Sequence, residues 1–199
     1  MDTIRTFIAV ETSAAVRQRA VELIERLRLS QADVKWVEPH HMHLTLKFLG
    51  DVSAANTADI CGAVAEVTQQ LEPLEISFRG AGAFPDPHRP RTVWLGVDGG
   101  LEPLTELAAA IEQRLADLGY PREARHFHPH LTLGRVRGGG PTIRDLARLI
   151  RENTAFEAGL TEIHAVLTFA SRLDRTGPTY EALSCARLGR APGIAAIRF

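Results

Sequence analysis

The sequence predicts an α+β fold, built as a duplicated, two-lobed unit around a central cleft. Three observations carry this reading. The pattern H-x-H-L-T-L occurs twice, once through His43-Leu44-Thr45-Leu46 and once through His130-Leu131-Thr132-Leu133, at an offset of 87 residues. The same offset aligns the order of elements around both copies. Apolar residues make up 45% of the 199 residues, enough to fill the core of one compact domain spanning residues 1–199.

The elements follow in order. Thr6 to Val10 reads as a strand and falls on Val93 to Val97; Glu11 falls on Asp98. A helical pattern follows each strand. In the first copy it runs through Val16, Ala20, Leu23, Ile24 and Leu27. In the second it runs through Leu104, Leu107, Ala108, Ile111, Leu115 and Leu118. The motif strands come next. After them, Ser53 to Leu71 and Thr142 to Arg151 read as helices, with Ser53 and Thr142 as caps. Leu74 to Phe78 falls on Thr161 to Ala165, both strand-like. A closing strand, Thr179 to Leu188, completes the second lobe. The repeats therefore cover roughly residues 3–86 and 90–173. The Gly- and Pro-rich stretch Gly80 to Arg91 reads as an inter-lobe loop, in which Arg89 and Arg91 suit an RNA backbone or plain solvent. Gly138-Gly139-Gly140-Pro141 breaks the chain after the second motif, and the tail Arg190 to Phe199 lies outside the repeat.

Composition bounds the function. A formal net charge of −1 rules out a strongly basic, DNA-coating surface but permits a local basic cleft. Cys61 and Cys185 make no disulfide framework and have no metal-type spacing, which fits a reducing cytoplasm. The apolar run Phe7 to Val10 is too short for a signal peptide or a membrane span. The expectation is a soluble cytoplasmic protein with no membrane association and no obligate protein partner. No P-loop pattern is present in the sequence.

Side chains alternate across a strand. Leu44, Leu46 and Phe48 are expected to face the core, with His43, Thr45 and Lys47 opposite them. In the second copy, Leu131 and Leu133 face the core while His130 and Thr132 face away. A pseudo-two-fold relation between lobes then sets two imidazoles and two hydroxyls around one cleft. Histidine titrates near neutrality, so one ring can act as base and the other as acid. Threonine hydroxyls can donate hydrogen bonds to anionic oxygens. This inventory suits displacement at phosphorus, where positioning and charge stabilisation dominate.

Six of the eight histidines lie in the two segments. His41 and His128 share the offset and are placed on the same strand face as the catalytic candidates. They widen the site, orient His43 and His130, or mark a metal site. A zinc or copper ion held by neutral imidazoles is thus a rival reading, although no Asp or Glu cluster accompanies them.

On these residues the chain resembles the 2H phosphoesterase superfamily, and within it the RNA 2′,3′-cyclic phosphodiesterases, also called 2′-5′ RNA ligases. The resemblance spans nearly the whole chain. It includes Arg5 to Val10, Trp36, Pro39, His43 to Gly50, Phe84-Pro85, Arg91 to Val97, Phe127, Pro129 to Leu133, Arg135, Ser171 to Leu173, and Gly177, Pro178 and Tyr180. It implies two α+β lobes, each an antiparallel-rich sheet with flanking helices. It implies hydrolysis of RNA 2′,3′-cyclic phosphate ends, or of a related cyclic nucleotide, to 2′-phosphomonoesters without metal or cofactor. His43 and His130 would be the acid–base pair, with His130 as base and His43 as acid. Thr45 and Thr132 would hold the phosphoryl oxygens. Arg135, Tyr180, Trp94 and His128 would contribute to substrate binding, with Trp94 or Phe84 available to stack on a base, although core packing is the favoured role of Trp94. One departure is His128, where the family pattern leads us to expect a basic residue, often Arg. Other readings are 2′-5′ ligation of RNA halves and a non-catalytic binder of RNA ends or nucleotides.

Overall fold

A computed structural model describes residues 2–173 and 178–189. Gly177 and the tail from Arg190 lie outside the described residues.

The first helix shows how the sequence sets local structure. α1, Ala14–Arg28, is capped by the Ser13 hydroxyl, which accepts from the Val16 N–H at 3.2 Å. Its buried stripe is Val16, Ala20, Leu23, Ile24 and Leu27, as the three- and four-residue spacing predicts. α3, Leu101–Asp117, buries Leu104, Leu107, Ala108, Ile111 and Leu115. Leu118 departs from the expected stripe because it lies past the helix end, and it is exposed. The two caps expected from sequence, Ser53 and Thr142, fail. A 3-10 turn at Ala54–Asn56 precedes α2, Thr57–Thr68, and leaves Ser53 at the end of a strand. α4, Thr142–Glu152, includes Thr142 in its first turn, with Pro141 at the cap position.

The strands are β1 (Thr3–Glu11), β2 (Val34–Trp36), β3 (His43–Ser53), β4 (Leu74–Phe84), β5 (Thr92–Gly99), β6 (His130–Val136), β7 (Glu157–Ile163), β8 (Ala165–Leu173) and β9 (Pro178–Arg187). They form one sheet in the order β7-β4-β5-β6-β3-β1-β8-β9, with β2 paired to β6, and every pairing is antiparallel. The α+β class and the antiparallel sheet thus match the expectation. Three boundaries move. Gly80 to Phe84, expected in a loop, extends β4, so the loop before β5 is only residues 85–91. The strand expected over Thr161 to Ala165 is split between the end of β7 and the start of β8. The short β2 was not foreseen.

The sheet has two halves, joined where Leu44 of β3 pairs with Leu131 of β6. One half holds β7, β4, β5, β6 and β2; the other holds β3, β1, β8 and β9. Each half therefore draws strands from both sequence repeats. β4 crosses because it forms a hairpin with β5, the next strand in the chain. The closing strand β9 pairs with β8 beside β1, so it completes the half that carries His43. The 87-residue offset also fails for the neighbours of the motif strands. Ile8 lies opposite Lys47 and Val93 opposite Gly134, so β1 and β5 correspond at an offset of 85. A two-residue slip keeps every side chain on its face, so alternation cannot detect it.

Ile8, Leu23, Leu44, Ile60, Leu95, Ile111, Leu131 and Leu133 lie in one continuous core under the helices. Among the described residues no helix is long and apolar enough to cross a membrane.

Candidate active site

β3 and β6 place the motif side chains. With Leu44 and Leu46 buried against the helices, His43 and Thr45 take the opposite, open face. Leu131 and Leu133 do the same for His130 and Thr132. The Leu44–Leu131 pair sits between them. In that antiparallel register His43 lies toward Thr132, and Thr45 toward His130. The two histidine–threonine pairs therefore meet at the seam of the sheet.

Beyond Leu46 the simple alternation breaks. The β1–β3 register shifts between Ile8 and Ala9, which is a bulge in β3. Lys47 turns to the core face and is only 6% exposed. Its ammonium donates to Glu112 of α3 at 2.8 Å and to the Pro121 carbonyl at 2.9 Å. Phe48, expected in the core, turns to the open face and is 64% exposed. β6 shifts in the same way between its pairings with Val93 and Trp94. Gly134 is consequently buried, and Arg135 emerges on the open face. The bulge is what brings Arg135 to the site.

The two imidazoles are held identically. His43 Nδ1–H donates to the His41 carbonyl at 2.8 Å, and His130 Nδ1–H donates to the His128 carbonyl at 2.6 Å. A carbonyl only accepts, so each ring carries its neutral-state proton on Nδ1 and leaves Nε2 free. This gives His41 and His128 a positioning role through their backbone. Neither lies on the motif strand, contrary to expectation: His41 ends a 3-10 turn at Pro39–His41, and His128 precedes β6 in irregular structure. Their rings add packing. His41 meets Tyr180 edge-on with centroids 5.0 Å apart, and His128 meets Trp94 at 5.2 Å and Phe84 at 5.2 Å.

Aromatic rings wall both histidines. Phe7 stacks on His43 at 4.8 Å, Tyr180 meets it edge-on at 5.2 Å, and Phe169 lies at 6.1 Å. Phe84 meets His130 edge-on at 5.0 Å, and Trp94 lies at 6.3 Å. Trp94 is thus on the open face beside His130, not in the core, and its indole nitrogen is buried with no acceptor among the described residues. Gly82 makes room for it, since a Cβ there would overlap the indole ring. Alternation gives Phe7 and Phe169 no place in the site, because an aromatic residue in an apolar run carries no mark of the face it takes.

Burial pushes the His43 imidazole down to about 4, outweighing the opposing pull of its carbonyl bond. Burial also lowers His130, and the charges of His128 and Arg135 push the same way. Burial raises the Tyr180 phenol, while Arg135 acts against it. Arg135 of β6 therefore exerts its field on both His130 and Tyr180, across the seam. Among the described residues, no three His, Cys, Asp or Glu side chains group to hold a metal ion.

Two imidazoles whose Nε2 atoms have no hydrogen-bond partner among the described residues, two hydroxyls and an arginine share one open face, an arrangement chemically capable of acid–base work on a phosphate ester. The chain belongs to the 2′-5′ RNA ligase superfamily, whose family profile matches residues 14–168. It is 38% identical over 186 residues to the RNA 2′,3′-cyclic phosphodiesterase of Methanothermobacter thermautotrophicus, covering 93% of this chain and 99% of that protein. It is similar in structure to TT0787 of Thermus thermophilus, with a TM-score of 0.79 and 26% identity over 94% of this chain and 99% of that one. The fold is also that of E. coli LigT complexed with 3′-AMP, with a TM-score of 0.73 and 24% identity over 94% of this chain and 99% of that one.

Proposed function

We propose that this protein is an RNA 2′,3′-cyclic phosphodiesterase that opens cyclic phosphate ends to 2′-phosphomonoesters with two histidines and no metal. The observation that carries the reading is the matched pair of Nδ1–H to carbonyl bonds, which frees one Nε2 on each side of the Leu44–Leu131 seam. The name of the M. thermautotrophicus relative supports the substrate.

In the reaction, one Nε2 takes a proton from water as the water oxygen bonds to phosphorus. The bond to the 3′-oxygen breaks, and that oxygen receives a proton from the opposite Nε2–H. The products are a 2′-phosphate and a 3′-hydroxyl. Thr45 and Thr132 donate to the non-bridging oxygens, and Arg135 balances their charge. Burial holds the His43 imidazole down at about 4, so it is neutral at pH 7 and ready to take a proton. His43 therefore serves as the base, with His130 as the acid. This reverses the order expected from sequence. Phe48, exposed beside Phe7 with ring centroids 5.8 Å apart, offers a stacking surface for the terminal base. The free thiols Cys61 and Cys185 fit the cytoplasm as the setting.

The test is turnover of an oligonucleotide ending in a 2′,3′-cyclic phosphate, with EDTA present and the product identified by phosphorus NMR. A 2′-phosphate is expected. Loss of turnover in EDTA, or a 3′-phosphate as product, overturns the mechanism.

A further inference from the structure

A second concave feature lies beyond the far end of β6. A groove of about 500 Å³ opens between the β4–β5 loop and the segment joining β6 to α4. Its lining includes Arg89, Arg91, Arg137 and Arg144, together with His88, and among the described residues no acidic side chain. All four arginines are exposed. Among the described residues none of them takes part in an ion pair. The net charge of the chain is only −1, so this concentration of cations is local and not a property of the whole surface. Two acids stand near the groove. The Asp86 carboxylate accepts from the backbone N–H groups of His88 at 2.8 Å and Arg89 at 3.2 Å, which fixes the loop. Asp33 stands at the edge, beside Gly138.

The walls of the groove are tied to the sheet. The Val136 N–H donates to the Arg91 carbonyl at 3.0 Å, and the Arg137 N–H to the Asp33 carbonyl at 2.8 Å. Gly138, Gly139 and Gly140 form part of the wall, and Gly139 and Gly140 have open space where a side chain would be. An extended, negatively charged chain can approach that backbone closely. The position relative to the reacting centre follows from β6 itself. His130 and Val136 are six residues apart on one strand, about 20 Å at the usual rise per residue. Arg135 lies between them, so positive charge continues from the histidines to the groove.

We propose that this groove binds the phosphodiester backbone of the RNA a few nucleotides upstream of the cyclic phosphate. The inference rests on the RNA-end reading above and makes the substrate an oligonucleotide rather than a mononucleotide. Four arginines around a space of this size match phosphates presented in series, and arginine takes phosphate oxygens two at a time.

The test compares a 2′,3′-cyclic mononucleotide with an oligonucleotide carrying the same end, using the wild type and an Arg89→Gln, Arg137→Gln, Arg144→Gln variant. The wild type should favour the oligonucleotide in KM. In the variant the oligonucleotide-to-mononucleotide ratio of kcat/KM should fall at least tenfold. A 2′-phosphate-ended oligonucleotide, followed by fluorescence anisotropy, gives a readout that needs no turnover. Its binding should weaken in the variant, and the slope of log affinity against log salt should become shallower by about 2. Equal ratios and equal anisotropy in the two proteins overturn the proposal. Competition by inorganic phosphate or by an acidic peptide as effective as by oligonucleotide also overturns it, since the groove is then a general anion or protein site. Absence of turnover on both substrates, with groove-dependent oligonucleotide binding retained, defeats the cyclic-phosphate reading and supports the groove.

Discussion

The two halves of the site hold their histidines in the same way and surround them differently. His43 and His130 share the carbonyl bond, the adjacent threonine and the bulge further along the strand. Around His43 the wall is Phe7, Phe169 and Tyr180, with Phe48 at the rim. Around His130 it is Phe84 and Trp94, and the position matching Phe48 is Arg135. In the proposed mechanism the shared parts handle the two protons of a displacement at phosphorus, and the divergent flanks face the two unlike sides of the substrate, its base and its charged phosphate.

The largest effect should come from breaking the shared part. His43→Ala and His130→Ala should each lower kcat by about 10²–10⁴. The order of proton transfer is read with a cyclic substrate bearing sulfur at the 3′-bridging position, a leaving group that needs no acid. That substrate should restore His130→Ala and not His43→Ala; the opposite pattern would assign the roles the other way round.

The second test uses the burial of His43. The folded-state pKa of His43, about 4, lies below its unfolded value of 6.5. The unfolded chain therefore binds the extra proton, and stability is full above 6.5 and falls as pH drops toward 4. The His43 share of this loss is about 3 kcal/mol. Urea unfolding at pH 7 and pH 4.5 should show a smaller loss in His43→Leu than in the wild type. Equal losses would remove His43 as the cause.

The third test separates the rims. Arg135→Gln should lower kcat/KM by roughly 10- to 100-fold, with or without a base on the substrate, as expected for a charged hydrogen bond. Phe48→Ala should cost about 1–3 kcal/mol of binding on a base-bearing substrate. On ribose 2′,3′-cyclic phosphate, which has no base, its effect should vanish. The last effect is on stability rather than turnover and comes from Gly82→Ala, which crowds the Trp94 indole beside His130. It should lower stability by about 1–3 kcal/mol, seen as a reduced Tm.

Much of the site was legible in the sequence because the motif is short, local and repeated. His43, Thr45, His130 and Thr132 follow from alternation alone, since their strands begin regularly against buried leucines. The stripes of α1 and α3 follow from helical spacing for the same reason. Lys47 and Phe48 were assigned to the wrong faces because a bulge adds one residue that periodicity cannot register. Tyr180 and Trp94 were named without their contacts. Tyr180 reaches His43 only because β9 pairs with β8 beside β1, and Trp94 reaches His128 and His130 only because Gly82 leaves space for it.

The sequence by itself determined the class of fold, the two matching motif strands and the shared face of His43, Thr45, His130 and Thr132. These depend on residue type and spacing along one strand or helix. The tertiary structure alone decided how strands from the two repeats mix in each half-sheet. It also decided the carbonyl that orients each imidazole, the emergence of Arg135 and the basic groove beyond it. Those depend on which backbone lies beside which, and strand pairing is settled by packing across the whole chain rather than by any local pattern.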